Sequence, residues 1–198
     1  MAGQTPSQTI GPYFAYVLTP EPYGRRGIAD NRLTTPATLG PRIRIVGRLR
    51  DGMDQPVEDA LIEIWQANAA GRYRHPADDR DDVPVDPAFT GFGRCRTGGD
   101  GGFEFQTVKP GRVPGRGNRL QAPHIGVIVQ ARGLQVPAFS RIYFSDEAPA
   151  NGEDLVLSSV EEERRGTLIA RREEAEGGPV YRFDIYLQGE RETVFFDA

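Results

Sequence analysis

The sequence predicts an all-β protein: a β-sandwich core with an extended N-terminal arm and one or two short peripheral helices. Three observations carry that prediction. Short segments with a side-chain period of two recur from residue 41 onward. The chain holds 24 glycines and 16 prolines, about a fifth of its 198 residues, a load of turn-formers and helix-breakers that disfavours a helical bundle. Hydrophobic residues make up 38% and charged ones 26%, enough apolar material for one core and too much for a disordered chain.

Residues 1–40 contain five prolines and no sustained periodicity, so they form an arm that packs on the domain or on a partner chain. The domain proper spans 41–198. Residues 42–49 alternate polar and apolar side chains as a half-buried strand does, and Asp51-Gly52 begins a turn. Residues 60–65 (ALIEIW) are too continuously apolar to have one solvated face. Residues 101–105 alternate again, and 124–131 (HIGVIVQA) form a buried strand. Segments 140–144 and 181–187 add two more, and 193–196 a short last one. The stretch between 66 and 100 is expected to be loop, with the acidic run at Asp78, Asp79, Asp81 and Asp82 solvated. The candidate helix falls at 160–172, where Leu168 and Ile169 are its only apolar patch; such a helix is short and peripheral. Some seven strands separated by turn residues describe a sandwich.

Several function classes drop out. Net charge is −4 and Lys109 is the single lysine, so the basic excess of a nucleic-acid binder is missing. Cys95 stands alone, which excludes an intrachain disulfide and a thiolate zinc cluster. No 18-residue apolar run exists and the N-terminus lacks a charged start followed by an apolar core, so a cytoplasmic location is expected. With histidines only at 75 and 124, every two-histidine helix motif is absent. No GxSxG turn is present, and GRGNRL and GGDGG lack the helix that a phosphate-binding loop needs.

The residues say more by resemblance. TPSQTIGPYF (5–14), WQANAAGRYRH (65–75), FGRCRTGGDGGFEFQTVKPG (92–111) and APHI (122–125) resemble the intradiol ring-cleaving dioxygenases over nearly the whole chain. TLIARR (167–172) and QGERETVFFDA (188–198) resemble, within that family, the alpha-type chains of two-chain enzymes. The resemblance implies a β-sandwich and, in catalytic members, a non-haem Fe(III) held by two tyrosines and two histidines, hard phenolates suiting the ferric ion. Mapped onto this sequence, the first tyrosine position is Tyr73 and the second is Val113, just after Lys109-Pro110-Gly111. The H-x-H pair falls on His124 and Gly126. Two of the four ligands are therefore missing.

The implied role is a non-metal subunit that lines the substrate pocket of a homologous, iron-bearing beta chain, with Fe(III) held by that partner. The substrates implied are 3,4-dihydroxybenzoate and dioxygen, ring cleavage giving 3-carboxy-cis,cis-muconate. Substrate-binding candidates are Arg132, in the turn after the 124–131 strand, and Gly11, Pro12 and Tyr13 in the arm. The isolated chain is expected to be inactive. Tyr73, His124 and Trp65 read most simply as packed core side chains. Two alternatives stay open: a β-sandwich binding or structural module with no catalytic role, and a self-sufficient dioxygenase, which the ligand count nearly eliminates.

Overall fold

The computed structural model describes residues 16–197. Nine strands run in the spatial order β3-β2-β5-β6-β7-β8-β1-β4, with β9 paired on β1. They are β1 (Arg42–Arg50), β2 (Leu61–Trp65), β3 (Phe92–Arg96), β4 (Gly102–Val108), β5 (His124–Gln130), β6 (Ala138–Phe144), β7 (Ile169–Ala175), β8 (Gly178–Arg182) and β9 (Ile185–Tyr186). Strands β3-β2-β5-β6 form one layer and β7-β8-β1-β4 the other. Their junction is the short parallel pairing of Tyr143 with Ile169 and Phe144 with Ala170. Between the layers Ile62, Ile64, Ile125, Val127, Val129 and Ile142 meet Ile43, Ile45, Phe103, Phe105 and Tyr181 in one buried core. The expected sandwich is present, curled until it is nearly closed.

Local sequence explains the layers. In β1, Ile43, Ile45, Gly47 and Leu49 point inward and the arginines between them outward, the alternation a one-sided strand requires. Gly47 has no substitute there, because a Cβ would lie 1.8 Å from the Phe183 carbonyl oxygen. In β5 the inward set is Ile125, Val127 and Val129. His124, Gly126 and Ile128 consequently share the outer face.

Four expectations are corrected. The stretch at 160–172 is not one helix. A single turn, α3 (Glu162–Arg165), and a 3-10 turn lead into β7 at Ile169, because Ile169 and Ala170 gain backbone partners on β6 that a helix would forgo. Two further short helices, α1 (Ala148–Glu153) and α2 (Leu155–Ser158), lie where no periodicity announced them. Strand β3 sits inside the expected loop; only Gly93 of its five residues is buried, so no apolar alternation marked it. Segment 181–187 breaks into β8 and β9 at Asp184, whose carboxylate takes the Arg48 N–H at 2.9 Å. Segment 193–196 contributes only an isolated bridge from Phe196 to Phe139.

The arm divides into two parts. Leu33 is buried, Leu33 N–H bonds to Gln106 at 2.9 Å, and the Asp86 carboxylate takes Leu39 N–H at 2.8 Å, so residues 30–39 lie on their own sandwich. Before them Tyr16 and Ile28 are 54% and 93% exposed.

Candidate functional site

The site is built on the outer face of the β2-β5-β6 layer. Register sets it: Trp65 lies opposite Gly126, and Gly126 opposite Arg141. On the same face His124 lies opposite Tyr143. Over this face fold the chain after β2 and the chain after β4.

The WQANAAGRYRH segment is shaped by Asn68. Its Oδ1 accepts from Ala70 N (3.0 Å) and Arg72 N (2.9 Å), and its Nδ2 donates to the Pro84 carbonyl at 2.9 Å. Its backbone carbonyl takes Gly71 N and Gly111 N, each at 3.0 Å. Gly71 is required: φ is +83° and a Cβ would stand 2.0 Å from the Arg112 carbonyl oxygen. That close approach brings Tyr73 beside Val113. Asp78 and Arg80 brace the turn, the guanidinium meeting both carboxylate oxygens at 2.7 Å while Asp78 also takes Tyr73 N–H at 2.8 Å. The Arg80 hydrogen bonds hold the Asp78 carboxyl down at about 2.

A cavity of about 510 Å³ results, lined by Trp65, Tyr73, His75, Asp78, Arg80 and Val113 among others. The rings of Trp65 and Tyr73 stack with centroids 5.8 Å apart and planes 11° from parallel. Trp65 is thus no core residue. It is 36% exposed, because its strand parity aims it outward. Tyr73 is only half-buried, and its contact is that stack rather than a bond across the sandwich. Burial raises its phenol above the ordinary range, against the opposing pull of the Arg141 charge.

His124 is buried, but in the outer-face layer beside the helices rather than between the sheets. Its Nδ1 lies 2.8 Å from the Ala122 carbonyl, which makes Nδ1 the protonated nitrogen and leaves Nε2 with a lone pair. Burial first, and the Arg141 charge second, push it down to about 4. Its neighbour Tyr143 donates to Asp154 Oδ1 at 3.1 Å, and burial with that carboxylate drives its phenol well above the usual range. Asp154 is fully buried and also accepts from Ala122 N (2.7 Å), Val156 N and Leu157 N (2.9 Å each). It caps α2 and ties the helices to the site.

The structure places Tyr73 and Val113 in one cavity with Trp65, and the β2-β5-β6 register sets Gly126 and His124 on the same outer face as Trp65. The donors present do not fit a ferric ion: one phenol and one imidazole against an isopropyl group and a hydrogen. Among the described residues no three histidine, cysteine or carboxylate side chains gather closely enough to hold a metal ion. Arg132 stands apart, at the other end of β5. Its side chain is 60% exposed and lies 3.8 Å from Glu58. Gly11, Pro12 and Tyr13 lie outside the described residues. Sequence reasoning passed over Arg141, Gln121 and Asp154. Arg141 shares a parity with Tyr143 in FSRIYF, but only register puts it opposite Gly126.

Among the described residues no helix is long and apolar enough to cross a membrane. A family model described as Dioxygenase matches residues 10–189. The protocatechuate 3,4-dioxygenase alpha chain of Burkholderia cepacia is 48% identical over 200 residues, covering 98% of each chain. The beta chain of protocatechuate 3,4-dioxygenase from the same organism is 36% identical over 172 residues, covering 84% of this chain and 72% of that one. Among solved structures, the dioxygenase domain of a carbohydrate-binding fusion protein from Streptomyces sp. SirexAA-E superposes with a TM-score of 0.63 at 26% identity, covering 94% of this chain and 99% of that one.

Proposed function

The chain belongs to the intradiol ring-cleaving dioxygenase family, and on that premise we propose that it is the metal-free alpha subunit of a protocatechuate 3,4-dioxygenase. In that role it lines the pocket of a homologous beta chain that holds the non-haem iron. One observation carries the proposal: the chain is alike from end to end to an alpha chain, and at two of the four positions onto which the resemblance maps the family's ligands it has Val113 and Gly126. The proposed partner's iron supplies the ring-opening chemistry. This chain's own contribution is recognition. Arg132 stays charged at every working pH and can meet the substrate carboxylate through two hydrogen bonds. Gly11, Pro12 and Tyr13 are proposed to reach the same pocket from the arm, whose exposed Tyr16 and Ile28 supply apolar surface for the partner.

Co-expression with a beta-type chain tests this. The expected product is one stable complex with iron on the partner, the red-brown colour of a tyrosinate-iron centre and cleavage of 3,4-dihydroxybenzoate. The isolated chain should carry no stoichiometric iron and open no catechol ring. One tightly bound iron per isolated chain would overturn the proposal. A chain that forms no complex and changes no turnover would instead be a β-sandwich module without a catalytic role.

A further inference from the structure

We propose that the Arg141 guanidinium is the resident cation of the outer-face centre, and that it bars a metal ion from that centre independently of the two missing donors. The inference rests on the metal-free reading above.

Geometry comes first. Arg141 is the direct cross-strand neighbour of Gly126, and His124 and Tyr143 form the next pair on the same face. Side chains opposite one another in antiparallel strands have Cβ atoms roughly 5 Å apart. A ligand at 126 would therefore stand beside a fixed positive charge. Arg141 is only half-buried, and its Nη1 donates to Gln121 Oε1 at 2.7 Å, a neutral acceptor that holds the head group without cancelling its charge. The charged group packed from the helices is Asp154, which is already engaged by four donors. On the covering loop Asp78 is clamped by Arg80, and Asp79 lines the same cavity.

The glycine itself does not block a ligand. A Cβ at 126 would meet only the Trp65 carbonyl oxygen, at an ordinary 3.4 Å. Packing thus tolerates a Cβ there, and the obstacle that the register sets beside it is electrostatic. The two donor-type residues that remain, Tyr73 and His124, both feel the Arg141 charge, so one cation already faces the groups that a metal would draw together. A guanidinium does not lose its proton in proteins, so it cannot turn neutral to admit a second cation.

The test restores the donors and varies the charge. In the full chain, Val113→Tyr and Gly126→His are combined with Arg141 retained, with Arg141→Gln and with Arg141→Lys. Each is exposed to ferric citrate and, separately, to zinc chloride. The readouts are metal per chain after desalting, the tyrosinate-iron absorption band and the zinc dissociation constant. The Gln form should bind metal roughly 100-fold more tightly than the Arg form, since a like charge at this range disfavours a second cation strongly. The Lys form should resemble the Arg form. Full iron loading with Arg141 in place would overturn the proposal, as would a Lys form that binds like the Gln form. Should the doubly substituted chain fail to melt cooperatively, zinc binding to Gly126→His with and without Arg141→Gln gives the same comparison with one donor fewer. Iron held by the unmodified chain away from this centre, with no tyrosinate band, would sink the metal-free reading alone, because the charge comparison is made on chains whose donors have been put back.

Discussion

The two ends of strand β5 have opposite characters. At its start His124 is buried, faces Tyr143 and sits in a network fastened by Asp154. Beyond its other end the chain turns at 131–134, and Arg132 reaches into solvent with one long ion pair to Glu58. Both places carry an arginine, Arg141 on the neighbouring strand at the first and Arg132 at the second. At the first the charge is spent inward on a centre short of two donors. At the second it stays open to solvent, paired at long range with Glu58. One strand thus joins a buried network at its start to an exposed arginine beyond its end, because the apolar inner face between them (Ile125, Val127, Val129) is indifferent to both.

The largest effect that would separate the two ends is on stability. Asp154→Ala strands Ala122 N–H and the Tyr143 hydroxyl and uncaps α2, so it should cost about 3–5 kcal/mol. Denaturant unfolding of the single chain checks this, and a loss below about 1 kcal/mol would mean the His124 end is not the anchored one.

Next comes pH. His124 stays neutral in the folded chain down to about 4 and takes its proton near 6.5 when unfolded. The unfolded state therefore binds the proton first as pH falls. Stability is fully present above about 6.5 and declines toward pH 4, by about 3 kcal/mol in total from this one group. His124→Asn keeps a donor for the Ala122 carbonyl and removes the titration. Its stability-against-pH curve should be flatter than the parent's between pH 6.5 and 4, and parallel curves would contradict the assignment.

At the exposed end the effect should appear in function instead. In the assembled complex Arg132→Ala should raise KM for 3,4-dihydroxybenzoate roughly 10- to 150-fold, the worth of a hydrogen bond to a charged group. Turnover of plain catechol should hardly change. Equal losses on both substrates would transfer Arg132 to the interface. The smallest effect belongs to Glu58→Gln. An exposed pair at 3.8 Å contributes under about 1 kcal/mol, so unfolding midpoints with and without Glu58 should nearly coincide.

By itself the sequence determined the layers and the deficit. The alternation in 42–49 and the apolar run of 124–131 mark strands because a two-layer fold must bury one side of each. The absence of tyrosine between Tyr73 and Tyr143, with histidine only at 75 and 124, leaves the H-x-H pair and the second tyrosine of the resembled pattern without a match at that spacing. Strand β3 was illegible, since its stability comes from pairing with β2 and not from a buried face. Strand β7 was hidden for a related reason: its exposed arginines and glutamates suit a helix as well, and only the partners offered by β6 and β8 decide. Tertiary structure alone decided what surrounds the empty ligand positions. Trp65 reached the surface by strand parity, and Arg141 came to stand beside Gly126 by the register of two strands. Register is a long-range property: a slip of one residue would carry every side chain to the other face, and no local pattern in either strand records which partner lies opposite.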